Sequence, residues 1–129
     1  HHVHVKQRPG KPLSYGRIGR AYFMALPGNP AACAVSARLY VRRAVERLCG
    51  ATPSPLVDAV VTTATKLKGR IGRTDCIRGH LDETGFAASP RSASSTLAGL
   101  NDADVLALLP ENCAGLEPGE AVRVKLLRR

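Results

Sequence analysis

The chain has 129 residues, no Trp, a single Met and only five aromatic residues: Tyr15, Tyr22, Phe23, Tyr40 and Phe86. Packing therefore rests on Ala, Val and Leu. Leu, Ile, Val and Phe together supply 31 residues, about a quarter, which is too many for a disordered chain and enough for a lean core. No apolar run approaches the roughly 20 residues that a membrane-spanning helix needs. No charged-then-apolar leader opens the chain. Neither a membrane protein nor an exported precursor is expected. There is no C-x-x-C pair, since Cys33, Cys49, Cys76 and Cys113 lie 16, 27 and 37 residues apart. That spacing argues against zinc and thioredoxin-type sites. It points to reduced, buried cysteines in a cytoplasmic protein.

Acid is scarce at one end. Residues 1–50 hold nine Lys or Arg and one acid, Glu46, whereas residues 51–129 hold ten cations against nine acids. Eight units of the net charge of +9 thus sit on the first part. Fourteen of the nineteen cations are Arg, whose planar fork suits phosphate and carboxylate. An anionic ligand is expected there. His1, His2 and His4 cluster at the start and read as a frayed strand, while His80 stands alone and reads as structural.

The local patterns divide the chain in two. Val3-His4-Val5-Lys6 alternates as a strand does, and Pro9-Gly10-Lys11-Pro12 breaks it as a stiff loop. Ser14 to Ile18 is a short strand, and Gly19-Arg20 a turn. The apolar run from Ala21 to Leu26 reads as a strand buried on both faces. Pro27-Gly28-Asn29-Pro30 then opens a helix, with Asn29 as N-cap and Pro30 at the first helical position. The helix runs to about Cys49, and Gly50 ends it. Val35, Leu39, Val41, Val45 and Leu48 form its apolar side.

A Pro-rich linker, residues 51–55, precedes a change of period from helical to two. Leu56 to Lys68 alternates, with residues 57, 59, 61, 63, 65 and 67 on one face. Further strands are expected at 74–81, 86–89, 105–109 and 121–127. A single helical turn is expected at 97–102, and loops at 90–95 and 110–120. The fold class is therefore an α/β fragment of strands plus one helix (1–50), followed by a small all-β domain (51–129).

Two loops are candidates for chemistry. A helix N-terminus with free backbone N–H groups seats phosphate well. Gly28 lets backbone approach a ligand, and Arg8 and Lys11 offer cations beside it. Arg8-Pro9-Gly10-Lys11-Pro12-Leu13, a strand ending at Leu26, Pro27-Gly28-Asn29-Pro30-Ala31-Ala32 and the closing Leu48-Cys49-Gly50 together resemble the molybdopterin molybdenumtransferase family, the bacterial MoeA proteins and the gephyrin E domain. Gly72-Arg73, Arg78-Gly79, Ser94, Ala103-Asp104-Val105-Leu106 and Gly119-Glu120-Ala121-Val122 extend the likeness along the rest of the chain.

The resemblance implies that the first part is the end of a molybdopterin-binding α/β domain and the second a C-terminal β domain. It implies an enzyme of molybdenum cofactor biosynthesis that inserts molybdate into adenylylated molybdopterin, releasing AMP, with Mg²⁺ as cofactor and a homodimer as the full-length assembly. It implies that Arg8, Lys11, Pro27, Gly28, Asn29, Pro30, Arg78 and Ser94 bind the substrates. The family's acidic metal-binding residues match no position here, so a longer parent chain is expected. Ser92-Ala93-Ser94 departs from the family's Gln-Gly-Ser, which removes an amide and a glycine. Two other readings follow from the residues. The basic first part could serve a nucleic-acid-binding module, though exposed stacking aromatics are few. The altered Ser loop would suit a non-catalytic scaffold.

Overall fold

A computed structural model describes residues 2–4, 7, 8, 12–53, 56–90 and 103–127, with side chains from Leu13 onward. The first part forms an antiparallel three-stranded sheet. Strand β1 (His2–His4) pairs β3 (Pro12–Ile18), and β3 pairs β4 (Ala21–Ala25) through a turn at Gly19. The expected apolar strand therefore exists, but it is not buried on both faces. Tyr22 and Phe23 on β4 are exposed, as are Tyr15 and Ile18 on β3. Leu13 at the start of β3 is buried while the apolar run of β4 is not, so an apolar run alone did not decide burial.

Between these strands the chain makes a detour. Strand β2 (Gln7–Arg8) leaves the first sheet and adds in parallel to β7 (Thr74–Asp82), with Gln7 opposite Thr74 and Arg8 opposite Asp75. Nothing local forecasts a strand of two residues next to Pro9.

The helix forms where its signals place it. It begins as α1 (Pro30–Ser36), passes through a π-type turn (Ala37–Val41) and continues as α2 (Arg42–Leu48), with Cys49 as C-cap and Gly50 at φ 75°. In the π-type turn the Arg42 N–H donates to the Ala37 carbonyl, five residues back. One extra residue in a turn rotates all later side chains by about 100° relative to an unbroken helix. Val35 is buried and Leu39 packs beside it, whereas Val45 and Leu48 are exposed. The apolar side read from an unbroken period is thus only half realised.

The second part is a curled sheet. Strands β5 (Asp58–Thr62), β7, β8 (Gly85–Ala88), β9 (Val105–Leu109) and β11 (Ala121–Leu126) run in the order β8-β7-β9-β11-β5. The curl closes at the end of β5. The Ala64 N–H donates to the Phe86 carbonyl at 2.8 Å, and the Ala88 N–H to Thr65 Oγ1 at 3.1 Å. The long alternating run 56–68 is therefore two strands with a bend, β5 and β6 (Leu67–Lys68). Its forecast face holds from Ala59 to Leu67, with Thr63 and Leu67 buried while Thr62 and Lys68 are exposed, but it fails at the start, where Leu56 is buried and Val57 exposed because both precede the first residue of β5. β6 pairs β10 (Gly115–Leu116), a short strand inside the stretch expected to be only loop. The expected helical turn at 97–102 lies outside the described residues.

Inside the curl, Leu67, Phe86, Val105, Ala107, Leu109, Val122 and Val124 make the main core. On the outer face Cys76 and Leu106 pack against Val35 of the helix, with Leu39, Leu108 and Leu127 around them. Arg38 Nη1 donates to the Leu127 carbonyl at 2.8 Å. Residues 1–50 and 51–129, which we propose as two domains, thus meet along this helix-on-sheet contact and at the β2–β7 pairing. β9 is consequently covered on both faces, which accounts for its nearly unbroken apolar sequence Val-Leu-Ala-Leu-Leu.

Gly79 shows how tight the curl is. A Cβ built there would lie 2.1 Å from the Ala87 carbonyl oxygen and 2.7 Å from the Phe86 ring. Backbone and a fully buried ring cannot yield at low cost. Gly79→Ala is expected to lower stability by about 1–3 kcal/mol, the usual scale of overpacking, measured by urea unfolding.

Candidate functional site

The loop at 27–30 follows β4 directly. Pro27 is buried and fixes the exit of the strand, while Gly28, Asn29 and Pro30 are exposed. Asn29 holds the extended conformation of an N-cap, φ −69° and ψ 125°. Its Oδ1 accepts from the Ala31 N–H at 3.0 Å and the Ala32 N–H at 3.2 Å, and its carbonyl accepts from the Cys33 N–H at 2.8 Å. Pro30 has no N–H. The first turn therefore has no free backbone donor, which corrects the expectation of an open helix N-terminus. The cap answers its own donors because Asn29 and Pro30 were placed there together. What the loop retains for a ligand is the Asn29 side-chain NH₂ and the Gly28 backbone.

Gly28 is informative by what it does not need. Its φ is not positive, and a Cβ built on it would meet nothing within 4 Å. The fold of this chain makes no demand for glycine there. Open space above a bare backbone suits a closely approaching ligand.

The topology relates this loop to the other candidates. In the β3–β4 pair, Ser14 lies opposite Ala25. The start of β3 at Pro12 and the exit of β4 toward Pro27 are thus at the same end of that sheet. Lys11 immediately precedes Pro12 in the chain but lies outside the described residues, as do Ser94 and its neighbours. Arg8 is on β2, opposite Asp75. Arg78 sits three residues further along β7, about 10 Å at strand rise.

Arg78 is buried. Its register partner is Leu106, which packs under the helix. Register partners in an antiparallel pair share a face, so Arg78 belongs to the helix-covered face of the sheet. Burial draws its guanidinium below the ordinary value, yet Arg keeps its charge in proteins.

Asp75 was missed by the sequence reading. It is buried, with Oδ2 accepting from the Arg70 N–H at 2.8 Å and Oδ1 from Arg73 Nε at 3.0 Å. The sequence gives little signal for it, since β7 reads TDCIRGHLD and carries a second acid, Asp82, that is exposed. Among the described residues no group of three or more His, Cys, Asp or Glu side chains is placed to hold a metal ion. The described residues do not fit a Mg²⁺ site.

The four cysteines are unpaired, but they are not uniformly buried. Cys76 is buried, Cys33 and Cys113 are partly so, and Cys49 is exposed. Cys49 is exposed because it caps the far end of the helix, beyond the sheet. Burial first, and the neighbouring Asp75 charge second, push the Cys76 thiol from 9.0 up to about 12. Tyr40 is raised as well, chiefly by burial and then by Cys76.

A family model described as the MoeA C-terminal region (domain IV) matches residues 60–127. A molybdopterin biosynthesis protein of Methanocaldococcus jannaschii is 31% identical over 96% of the chain. The molybdopterin molybdenumtransferase of Bacillus subtilis is 30% identical over 96% of it. The MoeA protein of Pyrococcus horikoshii has the same fold, with a TM-score of 0.82 over 98% of the chain at 24% identity. The molybdenum cofactor biosynthesis protein of Pyrococcus furiosus matches with 0.79 over 96% at 24% identity. The chain spans 29% and 30% of the length of the two curated relatives. The chain is a member of the MoeA family, and residues 60–127 match the region that the family model describes.

Three outcomes test the geometry. Asn29→Ala is expected to lower stability by about 1 kcal/mol, the usual worth of an N-cap, read by thermal unfolding. In thiol labelling at pH 8, Cys49 should react fast and Cys76 only on unfolding. Because the folded state holds the Cys76 proton more tightly than the unfolded chain, its contribution is full below pH 9 and lost as pH rises toward 12. Unfolding free energy should fall over that window in the native protein and less steeply in Cys76→Ala.

Proposed function

We propose that the protein of which this chain forms part inserts molybdate into adenylylated molybdopterin, releasing AMP, in the biosynthesis of the molybdenum cofactor. The observation that carries this reading is family membership whose likeness runs from the 8–12 loop through the 27–30 loop to the last strand. Relatives named molybdopterin molybdenumtransferase match 96% of the chain, not the β domain alone.

Within this reading each residue has a chemical task. The pterin phosphate, the adenylate and molybdate are all anions. Arg8, Lys11 and Arg78 supply charge-assisted hydrogen bonds to their oxygens. The Asn29 amide is locked by its cap bonds, so its NH₂ can donate without reorganising. Pro27 and Pro30 stiffen the loop on either side, and Gly28 admits the ligand to the backbone. Ser94 adds a hydroxyl from the β domain. A fixed array of donors also stabilises charge growing on the departing phosphate oxygen. Mg²⁺ and its acidic ligands belong, in this reading, to the portion of the parent that precedes the chain. The parent works as a homodimer in the cytoplasm. The unpaired cysteines are in keeping with that compartment, and no helix among the described residues is long and apolar enough to cross a membrane.

The test uses the full-length parent. It is expected to bind adenylylated molybdopterin and to restore molybdoenzyme activity in a strain lacking molybdate insertion. Lys11→Ala and Arg78→Gln should each weaken binding about tenfold or more, the scale of one lost charge-assisted contact. Gly28→Ala should leave the unfolding midpoint unchanged and still weaken binding. Residues 1–129 alone should show no turnover. A well-folded parent that neither binds the pterin nor complements overturns the reading, as does tight, salt-sensitive RNA binding without pterin affinity.

A further inference from the structure

The 27–30 loop belongs to the first part of the chain and Arg78 to the curled sheet. A ligand that meets both needs the two parts held in a set relation. The loop is coupled to α1 through the Asn29 cap, whose Oδ1 accepts from the Ala31 and Ala32 N–H groups. Val35, about 9 Å along the helix from Asn29, packs against Cys76 and Leu106. Leu106 is the register partner of Arg78. Cys76 lies two residues before Arg78, on the same face of β7. The helix therefore meets the sheet on the residues that flank Arg78.

Val45 and Leu48, further along the helix, are exposed, which leaves the hold on the sheet to the residues before them. Apolar packing of Val35 and Leu39 is non-directional. It sets how close the helix lies and does less to fix its rotation. Arg38 supplies the direction. Its Nη1 donates to the Leu127 carbonyl at 2.8 Å, a charge-assisted bond. Leu127 is a fixed point, because it packs in the same cluster and its N–H donates to the Asp104 carbonyl at 2.8 Å. It lies one residue beyond β11, so its carbonyl can meet a side chain. The other link between the parts, β2 on β7, engages Gln7 and Arg8 and not the helix.

We propose that Arg38 is a positioning residue for the substrate site: its bond to the Leu127 carbonyl sets how the 27–30 loop lies relative to Arg78. This rests on the reading of the loop and Arg78 as parts of one substrate site. Arg38 acts through the helix, not by touching the ligand.

The experiment places Arg38→Met, Arg43→Met, Arg78→Gln and the Arg38→Met/Arg78→Gln pair in the full-length parent. Arg38→Met keeps the apolar stem and removes the donor. Arg43, another exposed Arg of the helix, controls for the loss of one positive charge. Two quantities are measured: the native-state labelling rate of the Cys76 thiol, located by peptide mapping, and the dissociation constant for adenylylated molybdopterin. Cys76 is buried beneath Val35, so its labelling reads the lifting of the helix from the sheet. Arg38→Met should speed that labelling and weaken pterin binding, each about tenfold, the scale of one hydrogen bond to a charged group. Arg43→Met should change neither. With Arg78→Gln already present, Arg38→Met should weaken binding far less, because coupled groups are not additive. Should Arg78→Gln not fold, Asn29→Ala takes its place in the pair. Unchanged Cys76 labelling in Arg38→Met overturns the proposal. So does faster labelling with unaltered affinity, full additivity in the pair, or an equal effect of Arg43→Met. A native parent that binds no pterin overturns the functional reading instead, while the labelling still decides whether Arg38 holds the helix to the sheet.

Discussion

Strand β7 is paired along both edges, and the rest of the molecule is arranged by that pairing. β9 runs along one edge, from Asp75 to Gly79. The other edge is shared, with β2 at the start and β8 at the end. One face of the strand feeds the curled core through Ile77, and the other carries Cys76 and Arg78 under the helix. A strand saturated in this way cannot slip. A one-residue shift would put Cys76 and Arg78 in the core and Ile77 against the helix. The placement of a buried guanidinium three residues from a buried carboxylate therefore follows from backbone pairing, not from the two charges attracting each other.

The charge distribution takes on a sharper meaning in this frame. Residues 1–50 carry a net +8, but the loop at 27–30 contributes no charge, and its helix N-terminus is closed by its own cap. What the loop offers is rigidity, an amide NH₂ and an uncovered glycine. In the proposed function the cations are Arg8, whose strand pairs with β7, Lys11, and Arg78 on β7 itself.

Much of this was legible beforehand. Asn29, Pro30 and Gly50 bracket a helix because capping and glycine termination are local chemistry. The alternation from residue 59 to 67 marked the inner face of β5 and β6, because burial on one side of a strand imposes a period of two. The paired Pro-Gly loops at 9–12 and 27–30, with a strand between them, carried the family. What was not legible has an equally specific cause in each case. The exposure of Tyr22 and Phe23 depends on what covers a sheet, and an apolar run does not state that. The exposure of Val45 and Leu48 depends on a π-type turn whose extra residue leaves no mark in composition. The burial of Asp75 depends on the turn that brings the Arg70 N–H and the Arg73 guanidinium onto it.

The sequence by itself determined the local elements, the inner face of the β strands and the family, since each rests on residues close together in the chain or on motifs with a set separation. Only the tertiary structure decided that Gln7–Arg8 crosses to the curled sheet and that Asp75 and Arg78 share one buried strand. Those facts depend on pairings between residues far apart in the chain, Gln7 with Thr74 and Asp75 with Leu109. Backbone hydrogen bonds of that kind are made with peptide groups, which are the same in every residue. No side chain records the partner, so the partner appears only when the chain is folded.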